Sequence, residues 1–100
     1  MAADITTGTY IENVSQASAL VKKINARTAS TADSDDTFTI TLADYNATTI
    51  VGITGYIQTT VGSVVEEEAP TTAVATGTLT ITLGGSAADN KVRYYEISLV

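Results

Sequence analysis

Two six-residue segments, TFTITL at residues 37–42 and TLTITL at 78–83, are nearly identical. In each, threonine alternates with a bulky apolar side chain, the period-two signature of a strand with one buried face. The pattern directs Phe38, Ile40 and Leu42, and likewise Leu79, Ile81 and Leu83, to one side, with the threonines on the other. Each segment opens a strand–loop–strand unit, the first over 37–60 and the second over 78–99, and the expectation is two similar hairpins.

The composition agrees. The chain has 100 residues, enough for one domain. It carries 19 threonines, and its apolar residues are mostly Val, Ile, Leu and Ala. Side chains stiff at Cβ suit a pleated, half-buried surface. The expected fold is all-β: a small antiparallel β-sandwich or open barrel, with residues 19–100 as a single β domain. Leu20, Ile24 and Ala26 in ASALVKKINAR alternate as in a strand, although Ala, Leu and Lys leave a helix over 15–24 as the alternative. Residues 1–18 are small and polar and read as a flexible arm. Residues 28–36 read as a loop, and 61–77, with the single proline Pro70, as a long polar connection in which 64–65 extend a strand. Asp44 and Asn46 favour a turn, with one helical turn as an option. Gly52 and Gly55 suggest a bulge or the close approach of another backbone. GGSAADN reads as a glycine-led turn.

The net charge is −6, which opposes a phosphate backbone and argues against nucleic-acid binding. Lys22, Lys23 and Arg27 in one segment and Lys91 and Arg93 in another read as solvated strand faces and edge protection rather than a basic stripe. With no cysteine, disulfides and thiolate metal sites are excluded. The start has neither the charged nor the apolar region of a secretory signal, and no apolar run is long enough to span a membrane. Synthesis and folding in the cytoplasm are expected.

No catalytic or cofactor site is legible. Histidine, the commonest general base near neutral pH, does not occur. A Ser18–Lys22 pair is formally available, but both read as ordinary polar side chains facing solvent. Asp33, Asp35 and Asp36 offer closely spaced oxygens, yet the glycine and glutamate of an EF-hand loop do not follow, so a solvated acidic loop is the simpler reading. Glu66, Glu67 and Glu68 beside SVV resemble an aggregation gatekeeper or a contact for a basic partner. The sequons at Asn13 and Asn46 read as coincidence. Tyr10, Ile11, Tyr45, Glu66, Glu67 and Glu68 are the candidate partner contacts, since tyrosine buries area while keeping a polar tip. Tyr56, Tyr94 and Tyr95 read as core or inter-sheet packing.

The stretches ITLADYNATTIVGITGYIQTT and GTLTITLGGSAADNKVRYYEI, with their threonine-rich strands and glycine turns, resemble tailed-bacteriophage structural proteins. In size the chain is similar to the small capsid decoration, or cement, proteins that bind expanded heads. The resemblance implies a small β-sandwich or barrel on the virion surface that binds the major capsid protein, in a homo-oligomer with a trimer favoured, and no enzymatic activity or cofactor. Residues 1–18 would then be an arm that orders on binding, with the 28–36 and 61–77 loops as contacts. Rival readings are a tail-tube, head–tail joining or fibre-associated β domain, and a cell-surface or carbohydrate-binding β-sandwich.

Overall fold

The computed structural model describes residues 3–15, 19–60, 62–84 and 89–100. Its strands are β1 (Tyr10–Asn13), β2 (Lys22–Arg27), β3 (Thr37–Thr41), β4 (Ile50–Thr60), β5 (Val64–Glu68), β6 (Thr71–Ala75), β7 (Thr78–Thr82) and β8 (Arg93–Leu99). They form two antiparallel sheets, one ordered β1-β2-β8-β4-β5 and the other β3-β7-β6. The all-β class and the two-sheet architecture are those expected.

The repeated segments are not hairpins. β3 and β4 lie in different sheets, and so do β7 and β8. Each unit is an arch that carries the chain from one sheet to the other. The two copies instead pair with each other: Phe38 is opposite Ile81, Ile40 opposite Leu79, and Thr39 opposite Thr80. Their partners β4 and β8 also pair, with Ile53 opposite Ile97. Two similar arches thus meet about an approximate two-fold relation, one pairing in each sheet.

The core lies between the sheets. Phe38, Ile40, Leu42, Leu79, Ile81 and Leu83 come from one side, and Ile24, Ala26, Tyr95, Ile97 and Leu99 from the other. All are buried, as the alternation requires. The Phe38 and Tyr95 rings meet with centroids 5.8 Å apart. Gly55 makes this packing possible, because a Cβ there would stand 2.8 Å from Tyr95 Cε1 and 2.8 Å from the Glu68 carbonyl oxygen. The ladder between β4 and β8 also shifts register between Ile50 and Gly52. Both features expected of the two glycines are therefore present.

The N-terminal segment differs from the expectation of a free arm. β1 pairs with β2, and Asp4 forms a parallel bridge with Thr37. The Ile5 N–H donates to the Thr37 carbonyl at 2.7 Å, and the Thr37 N–H donates to the Ala3 carbonyl at 2.8 Å. Residues 3–13 thus satisfy strand groups that would otherwise be open. The 61–77 connection also differs: it holds two strands. β5 and β6 follow each other across Ala69 and Pro70 yet pair with different neighbours, β4 and β7. Leu42–Tyr45 form the helical turn that the sequence leaves as an option there, and it ends at Asn46 with φ 55°, a conformation that asparagine tolerates. Residues 85–88 of the glycine-led turn, and Ser18, lie outside the described residues.

Candidate interaction surface

The two faces of the five-stranded sheet carry different chemistry. β8 sends Arg93, Tyr95, Ile97 and Leu99 inward and Tyr94, Glu96 and Ser98 outward. On the outer face, strand register aligns one row across all five strands. Tyr10 on β1 is opposite Arg27 on β2, Arg27 is opposite Tyr94 on β8, Tyr94 is opposite Tyr56 on β4, and Tyr56 is opposite Glu67 on β5. Directly opposed residues on one face are close enough to interact. The Arg27 guanidinium carbon sits 5.7 Å from the Tyr10 ring centroid, within cation–π range. Tyr10 is 59% exposed and Tyr94 38%.

Beside this row an open groove of about 500 Å³ runs between Tyr10, Arg27, Ser30, Gln58, Val92 and Tyr94. Its walls combine aromatic area with hydrogen-bonding groups. The next row across the sheet is polar, with Glu12, Asn25, Glu96 and Thr54 in register. Farther along, Lys23 Nζ donates to Ser98 Oγ at 3.2 Å.

The inner face holds a buried polar cluster at the rim of the core. Arg93 is fully buried. Its guanidinium donates to the carbonyls of Ala32 at 2.9 Å, Gly84 at 3.0 Å and Lys91 at 3.3 Å. Glu68 is also buried, and its Oε1 accepts the Gly84 N–H at 2.6 Å. The backbone of one residue, Gly84, therefore receives from the arginine at its carbonyl and gives to the glutamate at its N–H. Among the described residues, the Tyr95 hydroxyl and Glu68 Oε2 have no hydrogen-bond partner of standard geometry. Burial first, then the Glu68 carboxylate, pushes the Tyr95 phenol well above its usual range. This cluster ties β8 to the 28–36 loop and to the end of β5, which is a structural role.

The candidate contacts from the sequence separate accordingly. Tyr10 stands exposed in the row, whereas Ile11 points inward and packs against the core. Tyr45 also packs against the core, and its burial, with Asp44 nearby, raises its pKa. Glu66 and Glu67 are exposed. Glu68 is buried and bonded within the fold, so it is withdrawn from any partner. The sequence pattern assigns Tyr56, Tyr94 and Tyr95 to core or inter-sheet packing; of the three, only Tyr95 is buried between the sheets. Arg27 enters the site through strand register, which no local sequence signal reveals.

The aspartate loop is structural at two of its three positions. Asp36 is buried, with Oδ1 accepting the Ala3 N–H at 3.0 Å and Oδ2 the Asp33 N–H at 2.9 Å. Asp33 Oδ1 accepts the Asn90 N–H at 2.9 Å. Asp35 is exposed at φ 72°. Among the described residues, no group of three or more His, Cys, Asp or Glu is arranged to hold a metal ion. The basic residues do not share one stripe: Lys22 and Arg93 are buried, while Lys23 and Arg27 lie on the outer face. Among the described residues no helix is long and apolar enough to cross a membrane.

Comparison with protein-family models, curated proteins and solved structures finds no match.

Proposed function

We propose that this protein is a non-enzymatic structural component of a tailed-phage virion. It binds the outside of the head through the outer face of its five-stranded sheet and stabilises contacts between major capsid protein subunits. The observation that carries this reading is the Tyr10–Arg27–Tyr94–Tyr56–Glu67 row. Tyrosine and arginine are enriched at protein interfaces, where a flat apolar area with polar tips can be buried without leaving groups unpaired. Strands hold these side chains in fixed register, so little order is lost on docking.

A second reading has one observation in its favour. The groove between Tyr10 and Tyr94, with Arg27, Gln58 and Ser30 on its walls, also suits a sugar ring that stacks on an aromatic face and is hydrogen-bonded at its edge.

Quantitative mass spectrometry of purified particles tests the first reading. One copy per major capsid subunit, or a fixed fraction of that number, is the expected result for a protein that covers the lattice. A small number of copies per particle would move the protein to the tail or a vertex. Absence from particles would overturn the virion reading, and binding on a glycan array would then establish the second.

A further inference from the structure

The four sheet edges are protected unequally. An open edge offers a row of N–H and C=O groups to any other strand, and native sheets block it with charge, bulges or covering segments. β3 is covered by the N-terminal segment, whose Ala3, Ile5 and Thr6 bond to Thr37 and Thr39. β5 carries Glu66, Glu67 and Glu68, and its ladder with β4 has a register shift between Gln58 and Thr60. β1 carries Glu12. β6 has none of these. Its sequence, TTAVA, is uncharged, all five residues are exposed, and its register with β7 is unbroken. Among the described residues, no backbone hydrogen bond reaches β6 from the side away from β7.

We propose that two copies of this chain pair through β6, antiparallel about a two-fold axis at Ala73, to make one six-stranded sheet. The strand is complementary to itself in this register. Ala73 meets Ala73 of the second copy, which allows close approach. Thr72 faces Val74 of the second copy on one side of the sheet, and Thr71 faces Ala75 on the other. Threonine and valine are favourable cross-strand partners, and Val74, 41% exposed in the single chain, is covered. Charge selects the same occupant. β5 calls for a basic strand, and pairing with itself would oppose glutamates. β6 calls for a neutral strand, and it is one. An isologous contact of this kind closes at two subunits. The inference goes beyond the proposed function and does not rest on it.

Sedimentation equilibrium over a dilution series tests it. The expected result is a reversible species of twice the 10.4 kDa chain mass. Ala73→Lys places two lysines across the axis and should weaken association by about fivefold or more. Ala73→Glu should do the same, and an equimolar mixture of the two should associate at least as tightly as wild type. Position 73 is exposed, so far-UV circular dichroism of both variants should be unchanged. Hydrogen exchange on the wild-type chain needs no substitution: protection within 71–75 should rise with protein concentration. A monomer at every soluble concentration, a trimer, or a dimer indifferent to both Ala73 variants would overturn the proposal.

Discussion

Tyr94 and Tyr95 are neighbours in sequence and opposites in setting. Tyr95 is 1% exposed, meets Phe38, and has room only because residue 55 is glycine. Tyr94 stands on the outer face between Arg27 and Tyr56. The same division runs along β8, with Arg93, Ile97 and Leu99 inward and Glu96 and Ser98 outward. Period two alone makes it, because successive side chains of a strand leave on opposite faces. Inner-face residues therefore answer to stability, and outer-face residues are free to answer to a partner.

Substitutions on the two faces should separate cleanly. Tyr95→Ala removes a fully buried ring from the centre of the core and should cost about 3–5 kcal/mol, read as a lower urea midpoint. Arg93→Leu leaves the carbonyls of Ala32, Gly84 and Lys91 without their donor and should cost about 3 kcal/mol in the same assay. Gly55→Ala drives a methyl group against Tyr95 and the Glu68 carbonyl, with an expected cost of about 1–3 kcal/mol. Tyr94→Ala, one residue from the first of these, should change stability by less than about 0.5 kcal/mol. A Tyr94→Ala loss as large as that of Tyr95→Ala would erase the distinction between the faces.

Alkaline pH tests the inner face in another way. The folded protein holds the Tyr95 phenol above its ordinary pKa, so folding favours the protonated form. That contribution is fully present below about pH 10 and is lost as pH rises past the unfolded-state value toward the folded one. Tyr45 is shifted in the same direction. Stability should therefore fall above about pH 10, and Tyr95→Phe should flatten the fall while changing little at neutral pH. An unchanged alkaline profile in Tyr95→Phe would contradict the buried setting.

The inward register of Phe38, Ile40, Leu42, Leu79, Ile81 and Leu83 was legible in the sequence because threonine marks every second position. Their pairing was not. Alternation names a face and leaves the neighbouring strand open, so two arches that pair with each other read as two hairpins. β6 was missed for a related reason: with no residue buried, TTAVA carries no apolar contrast. Glu68 stood in a run of three glutamates, and only the pairing of β5 with β4 turns it inward opposite Gly55. The tyrosine row was the hardest to see. Tyr10, Tyr56 and Tyr94 are distant in sequence, and Arg27 joins them only when three strand pairings are known.

The most direct test of the interaction surface is equilibrium binding of a Tyr56→Ser, Tyr94→Ser variant to purified heads stripped of the protein, alongside its thermal unfolding curve. The expected result is an unfolding midpoint close to wild type with saturable binding weakened by about tenfold or more, as for the loss of central aromatic contacts. Undiminished binding by a folded variant would contradict the assignment of this face as the contact surface.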